Sequence, residues 1–152
     1  MSPERRPFNI IMKWCDTLKH ATIDITNSSI ATKVAQNSEY SPVSILTENI
    51  FAELPPRLYM WTIRIVQLAS LMIVGICHEK AAIKHSFVRG YWGNIGHGHY
   101  VVGSDGYTYS HSDKAVNYKR QTFRLVKGDL LKLCYDSGRR KLDISVNSQK
   151  KW

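Results

Sequence analysis

Trp61-Thr62-Ile63-Arg64-Ile65 alternates apolar and polar side chains without a break. A period of two puts Trp61, Ile63 and Ile65 on one face and Thr62 and Arg64 on the other, which predicts a half-buried strand within Tyr59 to Val66. The pattern continues downstream. Leu71 to Cys77 is continuously apolar around Gly75, which predicts a central strand buried on both faces. Residues 99–103 and 107–110 flank Asp105-Gly106, a hairpin turn signal. Thr122 to Val126 alternates again, and Leu130 to Tyr135 is reached through Lys127-Gly128-Asp129. Leu142, Ile144 and Val146 then form an apolar face against Asp143 and Ser145, with Ser137-Gly138 in the connecting hairpin.

Upstream, Thr22 to Ile25 and Ile30 to Val34 are rich in β-branched residues and flank Asn27-Ser28-Ser29, a turn signal. Val43 to Leu46 is another short strand candidate, and Pro55-Pro56 breaks the chain before the next element. Phe8, Ile11, Trp14, Cys15 and Leu18 recur at helical spacing, which predicts a short amphipathic helix in an N-terminal segment, residues 1–19. Short strands with regular turn signals point to an all-β fold, an antiparallel β-sandwich over residues 20–152.

With 152 residues the chain is long enough for one domain with a real core. Its 43% hydrophobic and 22% charged residues predict a folded protein. The net charge of +9 is uneven: residues 114–151 hold eleven Lys and Arg against three acids, while residues 1–113 hold ten against nine. Such asymmetry fits a solvated face, an acidic partner or nucleic acid. Cys15, Cys77 and Cys134 are odd in number and widely spaced, which suggests buried free thiols in a reducing compartment. Arg5 and Arg6 are not followed by a signal-like apolar core, and Ile65 to Cys77 falls short of the roughly twenty apolar residues a spanning helix needs. An intracellular, cytoplasmic protein without a membrane partner is the expectation.

In chain order, these residues resemble the SPRY domain, a concanavalin-like β-sandwich interaction module that also occurs in PRY-SPRY form in tripartite-motif ubiquitin ligases. Trp61 to Ile65 looks like the family's tryptophan-led strand, and Met72-Ile73-Val74-Gly75-Ile76-Cys77 like the next. Gly103-Ser104-Asp105-Gly106-Tyr107 and Tyr109 resemble the stretch after its variable loop. Lys127-Gly128-Asp129, Leu133-Cys134-Tyr135-Asp136 and Lys141 to Asn147 resemble its Gly-Asp turn, the following strand and the hairpin return. Ala21 to Asn49 is similar to its opening strands. The resemblance covers about residues 20–147. One departure stands out. The family usually places a glycine after the asparagine matching Asn147, then further strands; here Ser148-Gln149-Lys150-Lys151-Trp152 follows. Missing last strands would leave a sheet edge open.

The chemistry-bearing residues cluster in Tyr91-Trp92-Gly93-Asn94-Ile95-Gly96-His97-Gly98-His99-Tyr100. His97, His99 and His111 could supply three nitrogens to zinc, but no nearby Glu or Cys supports a site, so polar loop histidines and no bound metal are the expectation. Ser104 and Ser110 lie near His111 in sequence without a nucleophile turn. Gly93, Gly96 and Gly98 are not followed by the Lys-Ser/Thr of a phosphate loop. Nothing here asks for a cofactor or an enzyme.

The resemblance implies a protein-interaction module whose loops grip a short partner segment, through Arg89, Tyr91, Trp92, His97, His99, Tyr100 and Tyr109. Tyr91 and Trp92 could equally be core aromatics. The alternative is a basic nucleic-acid-binding or ribonucleoprotein subunit using residues 114–151. The oligomeric state is left open.

Overall fold

The computed structural model describes residues 7–34, 43–48, 51–68, 71–87, 92–120 and 123–150. The strands are β1 (Phe8–Asn9), β2 (Trp14–Lys19), β3 (Ile23–Thr26), β4 (Ile30–Lys33), β5 (Ile45–Thr47), β6 (Leu58–Arg64), β7 (Ile73–Cys77), β8 (His99–Gly103), β9 (Tyr107–Ser110), β10 (Lys119–Arg120), β11 (Leu130–Asp136), β12 (Lys141–Val146) and β13 (Gln149–Lys150). One short helix, α1 (Glu79–Lys84), interrupts them. A five-stranded sheet has the order β1-β6-β11-β12-β13, and a four-stranded sheet the order β10-β9-β8-β7. Two small sheets, β2-β5 and β3-β4, complete the described strands.

The alternation that predicted β6 also sets the core. Tyr59, Trp61 and Ile65 are buried while Thr62 and Arg64 are exposed. Leu131 and Leu133 of β11, and Ile144 and Val146 of β12, face the same side. They meet Val74 of β7 and Val102 of β8 from the four-stranded sheet in one cluster, so the two sheets form an all-β sandwich. Phe123 and Leu125 close this core from a segment that lies in neither sheet. The strand expected over Thr122 to Val126 is therefore corrected in part: Thr122 lies outside the described residues, and 123–126 keeps the in-out alternation but joins no ladder. Leu125 instead donates its amide to the Ser104 carbonyl.

The N-terminal helix is also corrected, because Phe8–Asn9 and Trp14–Lys19 are strands. β1 runs parallel to β6, with Phe8 opposite Tyr59, and Ile10 and Met12 pack on the main core. β2 pairs with β5 across the boundary expected at residue 19. Ladder partners far along the chain outweigh a local helical period. The hairpin expected at Asn27-Ser28-Ser29 forms as β3-β4, with Asn27 and Ser28 both at positive φ in the three-residue connection. The sheet also continues past Asn147. Asn147 and Ser148 turn at positive φ, and β13 folds back on β12.

Among the described strands β7 lies at the edge of its sheet, not at the centre as its apolar run predicted. Its two faces still meet apolar clusters: Val74 and Ile76 touch the main core, and Ile73 packs beneath Trp92 and Val101. Gly75 pairs with Val101, and a Cβ there would overlap the Tyr100 carbonyl oxygen and lie 2.8 Å from Val101 Cα. Only glycine lets the two strands approach that closely.

A buried carboxylate ties the Gly128-Asp129 turn to the hairpin return. Asp129 accepts the Val126 amide at 2.8 Å and the Asn147 side-chain amide at 2.8 Å. Asn147 Oδ1 in turn accepts the Leu130 amide at 3.0 Å. All three cysteines are half-buried thiols, less enclosed than expected. Burial and the Glu79 carboxylate push the Cys77 thiol up to about 11, so it stays protonated at neutral pH.

Candidate functional site

β8 and β9 carry the residues around which the candidate site is built. The register sets Tyr100 opposite Ser110 and Val101 opposite Tyr109. Side chains therefore divide between two faces. Val102 points into the sandwich, while Val101 and Tyr109 point outward and form a second small core with Trp92. Trp92 is 4% exposed, its ring 4.5 Å from His99 and edge-on to Tyr109 at 5.3 Å. The loop 92–98 thus roofs the outer face of the four-stranded sheet.

That roof is held by hydrogen bonds that run through the histidines. Gly98 donates its amide to His111 Nδ1 at 2.8 Å, and Gly96 donates to the His111 carbonyl at 2.8 Å. His99 Nδ1 donates to the His97 carbonyl at 2.7 Å, while the His99 amide donates to His97 Nδ1 at 3.2 Å. Asn117, itself buried, accepts the Ser110 amide at 2.6 Å and donates to the Asn94 carbonyl at 3.2 Å. Gly98 sits at φ +83 against Ala81 of α1, which leaves no room for a side chain. His78, at the start of α1, donates its amide to the Gly98 carbonyl and stacks on His111 at 4.8 Å.

These contacts sort the expected binding residues. Arg89 and Tyr91 lie outside the described residues. Trp92 and Tyr109 are core, the alternative left open for Trp92: their rings cover the sheet and each other. His99 is buried beneath Trp92 as well. His97 and Tyr100 are half-buried beside His111. Exposed apolar groups on this loop and the 117–118 turn are Ile95, at 59%, and Tyr118, at 44%. They flank the Asn94–Asn117 hydrogen bond, and Tyr118 stands edge-on to Tyr109. Sequence reading passed over both. Ile95 lies in the glycine-rich loop and had a signal there; Tyr118 is brought alongside by the turn after the short 3-10 helix Lys114–Val116.

The serines near His111 have structural duties. Ser104 Oγ accepts the Met72 amide at 3.1 Å, and Ser110 Oγ accepts the Asp113 amide at 3.1 Å. His111 Nδ1 is occupied by Gly98. Among the described residues no group of three His, Cys, Asp or Glu is arranged to hold a metal ion, and no helix is long and apolar enough to cross a membrane.

Burial holds the His97 and His99 pKa values below the ordinary 6.5; the nearby His111 pushes His97 further down. His97 Nε2 is shielded from solvent, and the Ser110 backbone and Asn117 side chain nearby offset part of that downward shift. In the unfolded chain both imidazoles take up protons near pH 6.5, and in the folded chain only at lower pH. Below pH 6.5 the unfolded state therefore binds more protons, and stability should fall as pH drops. Thermal melts from pH 7.5 to 5.0 check this. The fall should shrink in a His97→Asn, His99→Asn double variant. A flat wild-type profile would show that neither ring is perturbed.

Among the described residues, the basic residues of 114–151 are divided between several elements. Lys119 and Arg120 edge the four-stranded sheet, Lys132 and Lys141 belong to the five-stranded sheet, and Arg139 and Arg140 lie in the β11–β12 hairpin. Arg139 pairs with Asp136 at 3.7 Å and Lys141 with Asp143 at 3.3 Å. In comparisons with known proteins, no family model matches the chain and no curated protein matches it.

Proposed function

We infer that the protein is a non-catalytic interaction module that holds a partner segment against the roof formed by loop 92–98 and the adjoining 117–118 turn. The observation that carries this reading is the combination of a pinned loop and exposed apolar tips. Trp92, His97, His99, His111 and Asn117 fix the loop from below, while Ile95 and Tyr118 stand out from it. A surface that is already ordered loses little entropy on binding. The resemblance to SPRY domains supports the same class of function. The partner is expected to be a short peptide segment of a protein. The nucleic-acid alternative draws less support, because the basic residues are divided between sheets and partly paired.

The test is affinity capture from source-cell lysate with nuclease treatment and a salt series, comparing wild type with Ile95→Asp. Ile95 is exposed, so the substitution should shift stability by no more than about 0.5 kcal/mol. A discrete protein partner that survives nuclease and salt, and loses about 2 kcal/mol of affinity in the variant, is the expected result. Mainly nucleic acid, released by salt and indifferent to Ile95, would overturn the reading.

A further inference from the structure

At the other end of β8 and β9 from the histidines lies a second surface. A groove of about 450 Å³ runs beside the Ser104-Asp105 turn, lined by Leu68, Leu71, Leu125 and Val126 and by Arg120 and Arg124. We propose that it binds an extended acidic peptide segment in which a carboxylate side chain neighbours an aliphatic one. It is a separate surface from the loop roof and does not depend on binding there.

The chemistry of the lining makes the choice. The floor is aliphatic and accepts apolar side chains. Arg124 is exposed and has no ion-pair partner among the described residues. Arg120 is already positioned: its Nε donates to the Asp105 carbonyl at 3.3 Å, and its guanidinium lies 5.5 Å over the Tyr107 ring. A planar guanidinium held in place matches a carboxylate through paired hydrogen bonds. Asp105 is the only acid in the lining among the described residues, and its Oδ1 accepts the Tyr107 amide, so two cations face one engaged carboxylate. Nucleic acid fits less well. Among the described residues no aromatic ring lines the groove, and Tyr107 is covered by Arg120, so bases find little to stack on.

The probe is a fluorescent hexapeptide with two glutamates among leucines, titrated into the full chain. Fluorescence anisotropy gives affinity, and methyl NMR shifts of Leu68, Leu71, Leu125 and Val126 give location. The expected result is shifts at those methyls. Affinity should fall tenfold or more when the peptide glutamates become glutamines, and again in Arg124→Glu. Arg124→Gln should give an intermediate loss. Ile95→Asp, on the loop roof, should leave affinity unchanged, which separates this surface from that one. The proposal is overturned by an absence of methyl shifts at millimolar peptide, by shifts confined to other residues, or by affinity indifferent to Arg124→Glu. Equal competition by a single-stranded oligonucleotide would also overturn it, in favour of nucleic acid.

Discussion

Replacing Trp92 by alanine is expected to cost about 3–5 kcal/mol of folding stability. The ring is almost wholly enclosed, lies flat over His99 and meets Tyr109 edge-on, with Val101 in the same cluster. Removing it would uncover apolar surface of Val101 and Tyr109 and release the loop that the histidine hydrogen bonds pin. Urea unfolding should show a lower midpoint with the slope preserved. Trp92→Phe should recover part of the loss by keeping an aromatic roof. A Trp92→Ala cost below about 1 kcal/mol would mean the ring is accessible in solution, and would return it to the set of contact residues. Weaker partner capture by this variant would follow from the loosened loop, so exposed Ile95 is the better probe of binding.

Leu133→Ala should be comparably damaging, at about 3 kcal/mol. Leu133 is 0% exposed and stands between Trp61 on β6 and Ile144 on β11's other neighbour, β12. Truncation would open a cavity in the middle layer of the main core, where neighbours on two strands are held by their ladders and cannot collapse inward. The neighbouring Lys132 points the other way, between Thr62 and Ser145, and is exposed. Lys132→Ala should therefore change stability by no more than about 0.5 kcal/mol. Denaturant titration of the two variants side by side checks the alternation. Equal losses would show that β11 is not oriented as described.

The amino-acid sequence by itself determined the strands whose side chains alternate against a single core. Trp61, Ile63 and Ile65 are an example, as are Leu142, Ile144 and Val146: a period of two forces one face inward wherever one sheet covers it. It also marked the turns at Asn27-Ser28, Asp105-Gly106 and Gly128-Asp129, because turn residues act locally.

The tertiary structure decided what depended on distant partners. Phe8 to Leu18 carries a helical spacing yet forms strands, because β6 and β5 supply ladder partners some 30 to 50 positions away. α1 escaped notice because it is short, although Ala81-Ala82 favours helix. Aromatic residues gave the least away. Trp92 and Tyr109 look like contact residues in the sequence, and whether a ring faces solvent or a neighbouring strand depends on which loop lies over which sheet face. The same is true of charge. Of the eleven cations crowded into the last quarter of the sequence, the described ones are spread over strands, turns and a 3-10 helix by the fold, and among them Arg120 and Arg124 come together beside an apolar groove, where Leu125 is tied to the Ser104 carbonyl.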